Sequence, residues 1–256
     1  MKVSDIKLGG IIDISTKEIP GKASMVLFTV GCNFNCDYCH NKYLLQLDIG
    51  KHYQIEELVR KIESNSLVSG VSITGGEPTL QNDLLEFVKK MAKLGKYISI
   101  DTNGSNPAVI ESISPYINRI ALDLKGPFEP EKLEKITGVK VDISKIRKTI
   151  DFLKTQKNID FEIRTTYLQS LLSSIDIENI INSLRNLEFK GNFVLQQYQF
   201  LEGVGEEFKK IFSKPEHDTL INILRPYRDI ELELPFRIFL RDEIVGYCNI
   251  NEIFID

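Results

Sequence analysis

The chain is short of several things, and each shortage narrows what it can be. No run of apolar residues approaches the length of a membrane span, so no membrane association is expected. Basic charge is not in excess. The 32 Lys and Arg stand against 36 Asp and Glu, a formal net charge of −4. A general nucleic-acid footprint needs the opposite sign. Lys89, Lys90, Lys93 and Lys96 fall on the polar side of a helical pattern and read as a solvated face. Cysteine is scarce, with 4 in 256 residues, which does not read as a secreted disulfide framework. Lys2 and Lys7 precede no apolar stretch, so a signal peptide is not expected and the cytoplasm is the expected location. No Gly-, Ser- or Pro-rich linker divides the chain. One domain over residues 1–256 is expected, with a core over 20–200 and a C-terminal extension over 201–256.

What the chain does have is alternation. After a turn at Pro20-Gly21, the run Met25–Val30 reads as a strand buried on both faces. Ile55, Leu58, Val59 and Ile62 then form a helical face. The same unit recurs. The strands are Val71–Thr74, Tyr97–Ile100, Arg119–Leu122, Phe161–Thr166 and Phe193–Tyr198. Helical faces follow at Leu84–Ala92, Ala108–Ile113, Ile143–Leu153 and Ile177–Leu184. Alternating strands and helices mean βαβ units and a parallel sheet. Six units use most of the chain, so the expected fold is α/β, a partial (β/α)6 TIM-like barrel. Beyond Phe200 the pattern weakens to a helix near His217–Leu224 and terminal strands at Ile230–Leu234 and Phe236–Leu240.

Three of the four cysteines, Cys32, Cys36 and Cys39, sit on one loop directly after the first of these strands. The spacing is C-x3-C-x2-C. Soft thiolates so close suit zinc, copper or an iron–sulfur cluster. A closed zinc site or an ordinary cubane wants four ligands. Either the distant Cys248 joins them, or the fourth position is open to something that reacts. Tyr38 and Phe34 read as a shield against water, and His40 as a residue that hydrogen-bonds the loop.

The other polar motifs share a position. Gly75-Gly76-Glu77-Pro78, Asp101-Thr102-Asn103-Gly104, Asp123-Leu124-Lys125, Arg164-Thr165-Thr166 and Gln196-Gln197 each end a strand. That edge is where parallel α/β sheets and barrels bind ligands. Singly, each has a plain explanation: a tight turn at Gly75-Gly76, an Asn-Gly turn, a surface ion pair of Asp123 with Lys125. Together they offer glycines that admit a ligand to the backbone, a carboxylate on Glu77 for an ammonium group, oxygen ligands on Asp101 and Thr102, and Lys125 for an anion.

At this point the chain resembles the radical S-adenosylmethionine (SAM) superfamily, through its cysteine spacing and the Gly-Gly-Glu-Pro that follows the next strand. With Pro20-Gly21, Asp101–Gly104 and Asp123–Lys125 added, it is similar to the activating proteins of glycyl-radical enzymes. The nearest look is to those of anaerobic ribonucleoside-triphosphate reductase and of pyruvate formate-lyase, over residues 8–200. The resemblance implies a radical SAM oxidoreductase. Cys32, Cys36 and Cys39 would hold a 4Fe–4S cluster, with SAM on the fourth iron. An electron would cleave SAM to methionine and a 5′-deoxyadenosyl radical, which would take hydrogen from a glycine of a partner enzyme. Tyr38, Gly75, Gly76, Glu77, Asp101, Thr102, Asp123 and Gln196 would line the cofactor site. Glu77 would meet the methionine ammonium, while Asp101, Thr102 and Asp123 would match a monovalent cation and the SAM carboxylate. Lys125 and Arg164 would contact SAM as the catalytic pair. Reduced flavodoxin or ferredoxin would supply the electron. The family pattern Asp-Gly-Pro-Gly is here Glu18-Ile19-Pro20-Gly21, and a histidine of some activases is replaced by Gln196 or Gln197, which bears on the partner more than on the chemistry. A pyruvate formate-lyase-type activase, and a radical SAM enzyme acting on a small molecule or peptide, are the alternatives. A zinc or iron–sulfur module closed by Cys248 is the non-catalytic one.

Overall fold

The computed structural model describes residues 4–200 and 211–254. Most of the expected extension's first stretch, 201–210, lies outside the described residues. Ten strands form one sheet in the order β10-β9-β8-β7-β6-β5-β4-β2-β1-β3. These are β1 (Asp5–Ile19), β2 (Lys22–Thr29), β3 (Lys51–Gln54), β4 (Gly70–Gly75), β5 (Tyr97–Thr102), β6 (Arg119–Asp123), β7 (Asp160–Tyr167), β8 (Asn192–Gln197), β9 (Arg237–Asp242) and β10 (Gly246–Asn249). The helices are α1 (Ile55–Ser64), α2 (Leu84–Ala92), α3 (Pro107–Ile113), α4 (Pro130–Thr137), α5 (Ile143–Leu153), α6 (Ser174–Asn186), α7 (His217–Leu224) and α8 (Ile250–Ile253). No helix among the described residues is long and apolar enough to cross a membrane.

The six expected parallel strands are β2, β4, β5, β6, β7 and β8. Their two faces differ in chemistry because side chains alternate along a strand. Leu27, Ile73, Ile100, Leu122, Ile163, Leu195 and Leu240 are fully buried under the helices. Each stabilises the fold by roughly 1.5–3 kcal/mol. The other face carries Ser72, Ser99 and Arg119, then Asp101 and Glu162 at the next position along, and Arg164 one position beyond those. The register sets Ser72 beside Ser99, Ser99 beside Arg119, and Asp123 beside Arg164. The sheet curls so that this polar face is the inside. Six strands separate β1 from β9 in the sheet, yet the Arg241 guanidinium on β9 donates to the Lys17 carbonyl on β1. Only a sheet wrapped toward itself allows that contact. The result is a partial barrel of parallel strands.

Four features depart from expectation. The stretch before Pro20 is a strand, β1, antiparallel to β2 through a turn at Gly21, whose φ is 70°. Its pattern is irregular because the pairing slips between Leu8 and Gly10, Ile12 and Ser15, and Ser15 and Ile19. Ile230–Leu234 is not a strand. Glu231–Glu233 is a 3-10 turn, because the fully buried Glu231 carboxylate accepts from the Ile238 amide and the Asn249 side chain, each at 2.7 Å. A carboxylate holding these donors turns inward and leaves Leu232 exposed. The Phe236–Leu240 segment is β9, and it runs parallel to β8, so the parallel set has seven members. Helix α4, short and half charged, was not read beforehand.

Candidate active site

The cysteine loop leaves β2 at Gly31, whose φ is 90°. Its position is set by backbone contacts with β4's end. The Gly76 amide donates to the Thr29 carbonyl at 2.9 Å, and the Glu77 amide to the Gly31 carbonyl at 2.7 Å. A Cβ on Gly76 would meet the Gly31 oxygen at 2.0 Å, and one on Gly75 the Thr29 nitrogen at 2.4 Å. The two glycines are therefore required by the chain's own close approach. From the other side, the Asn35 amide donates to the Thr137 carbonyl at 2.8 Å, at the end of α4. Lys42 reaches back to the carbonyls of Asn35 and Cys36, both at 3.1 Å. Asn103 donates to Asn33 at 2.8 Å. Asn33 and Thr137 escaped the sequence reading because their contacts join parts distant in the chain, while Lys42 folds back on its own loop.

Within the loop the Cys39 amide donates to the Cys36 carbonyl at 3.2 Å, and all three thiols are free of disulfides. Burial pushes the Cys32 thiol up to about 11 and the Cys36 thiol up as well. Metal binding displaces such protons. No three His, Cys, Asp or Glu side chains among the described residues are gathered tightly enough for one bare metal ion. Three soft thiolates on one short loop are the donor type an iron–sulfur cluster takes. Nε2 of His40, beside Cys39, is buried without a hydrogen-bond partner among the described residues, while its ring stacks on Tyr198 at 4.8 Å. Tyr38 is buried and packs edge-on against Tyr198 and Phe212, each at 6.4 Å. Cys248 does not join the loop. It faces the helix side of β10, opposite Leu240, and its thiol donates to Glu252 at 3.5 Å.

The strand-end residues form two linked groups. In the first, Glu77 is buried and its carboxylate accepts from the Thr79 amide and hydroxyl at 3.1 and 2.6 Å, the Thr102 hydroxyl at 2.7 Å and the Asn103 amide at 2.7 Å. Burial raises its pKa while these donors oppose the rise. Three of these four donors crowd on Oε1, so Glu77 is first a brace between β4 and β5. Its remaining capacity lies on Oε2, which here takes a single donor.

In the second group, Lys125 donates to Asp123 at 3.2 Å, and Nε of Arg164 to the other Asp123 oxygen at 2.9 Å. Arg164 also pairs with Asp101 at 3.2 Å. Burial works against the Asp123 charge, but Arg164 and Lys125 outweigh it and hold the group down to about 2. Burial likewise opposes the charge of Lys125, yet Asp123, then Tyr38, Cys36 and Cys39, raise its pKa. This lysine therefore stands between the carboxylate and the cysteine loop. Asp101 keeps one buried oxygen, Oδ1, without a hydrogen bond, 3.8 Å from Arg119. Of the residues expected at a cation and SAM-carboxylate site, Asp101 and Asp123 face Arg164 and Lys125, and Thr102 donates to Glu77. Gln196 stands half-buried at the same edge, in register between Thr166 and Arg241. Gln197 points away and donates to the Pro215 carbonyl at 2.7 Å.

Sequence reading missed Arg119 and Glu162, which pair at 2.7 Å inside the barrel. Their signal was available: Arg119 and Asp123, and Glu162 and Arg164, fall an even number of residues apart on one strand face. A cleft of about 510 Å³ reaches Cys32 and Asn33 from the β1–β3 side, lined also by Lys7 and His52, away from Asp123 and Arg164.

A partial parallel barrel, a free three-cysteine loop at the end of its first parallel strand and a basic-acidic cradle on the same edge define a class of enzyme. The chain belongs to the radical SAM superfamily, whose profile matches residues 26–190. Membership implies a 4Fe–4S cluster and S-adenosylmethionine, and the donor set fits both. The chain is 34% identical to a Methanocaldococcus jannaschii protein provisionally named a glycyl-radical enzyme activating enzyme, over 87% of this chain and 93% of that one. It is 30% identical to the pyruvate formate-lyase-activating enzyme of Clostridium pasteurianum, over 73% of this chain and 79% of the relative. The fold is shared with QueE of Escherichia coli, at a TM-score of 0.60 and 16% identity, covering 91% of this chain and 93% of that one.

Proposed function

We propose that this enzyme is an activase that installs a glycyl radical on a partner enzyme, with anaerobic ribonucleoside-triphosphate reductase as the first candidate and pyruvate formate-lyase as the second. The observation that carries the reading is the likeness, along nearly the whole chain, to a protein named for that activity. The site is compatible with it. Cys32, Cys36 and Cys39 would hold the cluster, and the chemistry the bound pair supplies is one-electron cleavage of the SAM sulfonium to methionine and a 5′-deoxyadenosyl radical. Lys125 and Arg164 would orient the SAM carboxylate, held at fixed charge by Asp123 and Asp101. The free Asp101 oxygen and the residual capacity of Glu77 would accept from the ammonium. Tyr38 would keep water from the loop. Reduced flavodoxin or ferredoxin is the proposed donor, approaching through the cleft at Cys32.

Anaerobically reconstituted protein, reductant and SAM should give 5′-deoxyadenosine. Addition of a candidate glycyl-radical enzyme should give a glycyl doublet in electron paramagnetic resonance. 5′-Deoxyadenosine without a doublet from any candidate would favour a small-molecule or peptide substrate instead.

A further inference from the structure

Arg241 lies outside the motifs that mark the site, yet it ends a parallel strand on the ligand-binding edge. It sits beside Gln196 on the inner face of β9. Its Nη2 donates to the Lys17 carbonyl, in the part of β1 that slips out of register with β2 between Ser15 and Ile19. The bond therefore holds an irregular, extended piece of backbone across the open flank of the barrel. Glu18, the next residue, is half-buried. Burial and the Asp101 charge raise its pKa, while Arg241 and Arg164 lower it, so its carboxylate is within electrostatic reach of those groups. A guanidinium left unpaired in such a place would be costly, and one carbonyl can replace another at little net cost.

The charge of this interior also limits what enters it. Arg119, Arg164, Arg241 and Lys125 are balanced by Glu18, Asp101, Asp123 and Glu162. A balanced set attracts neither anion nor cation strongly. It suits a neutral polar chain whose carbonyls and amides meet fixed positive and negative groups.

We propose that Arg241 and Glu18 grip the backbone of a polypeptide substrate, Arg241 taking a substrate carbonyl in place of that of Lys17 and Glu18 accepting a substrate amide. In the free enzyme, β1 residues 15–19 stand in for that segment. This rests on the activase reading, since it assumes a protein substrate. Arg241 is a specificity residue on a strand beyond the six-unit core.

The test uses the reconstituted enzyme with the partner on which the wild type makes a glycyl radical, and a fluorescein-labelled peptide spanning its glycine. R241A should raise KM for the partner by about tenfold or more with kcat nearly unchanged, since a hydrogen bond to a charged group is lost. Peptide anisotropy should weaken in parallel. R241K should recover part of the loss, and E18Q should raise KM less. Peptide binding should also speed hydrogen exchange in residues 15–19 of the wild type as Lys17 is released. If R241A does not fold, R241K and E18Q carry the test alone. Unchanged KM and anisotropy in these variants, with only the melting temperature lowered, would reduce Arg241 to a closure contact and overturn the proposal. No doublet from the wild type with any partner would instead defeat the activase reading, and this proposal with it.

Discussion

Asp123 shows what a single site residue contributes. Its oxygens are divided between Lys125 and Arg164, so it neutralises two cations inside the barrel. Replacing it with asparagine leaves both without that partner. D123N should lose on the order of 3 kcal/mol in urea unfolding of the apoprotein at neutral pH. The pH dependence has a definite sign. The folded-state pKa is depressed from 3.8 to about 2, so the native protein holds the ionised form more firmly than the unfolded chain does. That stability is complete above the unfolded value and disappears as pH falls through the folded one. The gap between wild type and D123N should therefore narrow from pH 4 toward pH 2, and a gap that widens with acid would contradict this account. Sequence alone left Asp123 and Lys125 open as a surface pair. Burial decided the matter, and burial depends on what the other strands bring alongside.

At the scale of elements, the cysteine loop and the end of β4 form one unit. Gly76 admits the Gly31 carbonyl so closely that no side chain fits between them. G76A should displace the loop, bind less iron after reconstitution and lose roughly 2 kcal/mol or more through overpacking. G21A is the comparison: its Cβ meets nothing within 4 Å, although its φ of 70° strains an alanine. It should cost about 1 kcal/mol and keep its iron. Equal iron loss in both would point to general instability. The Gly-Gly pair was legible as a motif, but its reason was not. Each glycine also lies against the chain's own backbone, at Gly31 and Thr29, which the motif does not reveal. Likewise Ile230–Leu234 alternates like a strand, and only the contacts of Glu231 make it a turn.

For the whole molecule, the open question in the sequence was whether Cys248 returns to the cysteine loop. It lies on the helix-facing side of β10 and bonds within the C-terminal segment. C248A should keep the wild-type iron content and cluster spectrum, while C36S should lose them. Loss of iron in C248A would restore the closed four-cysteine site.

The strand–helix alternation, the parallel core and the polar motifs at strand ends were all legible in the amino-acid order alone. Hydrophobic periodicity and residue spacing are local quantities, readable over a few residues. The three-cysteine loop was legible as well, because Cys32, Cys36 and Cys39 all lie within eight residues of chain. It took the folded chain to place β9 in the parallel set, pair Arg119 with Glu162 inside, and bring Arg241 to Lys17 across the barrel. Those contacts join segments many residues apart. They depend on sheet order and curl, which no local pattern encodes.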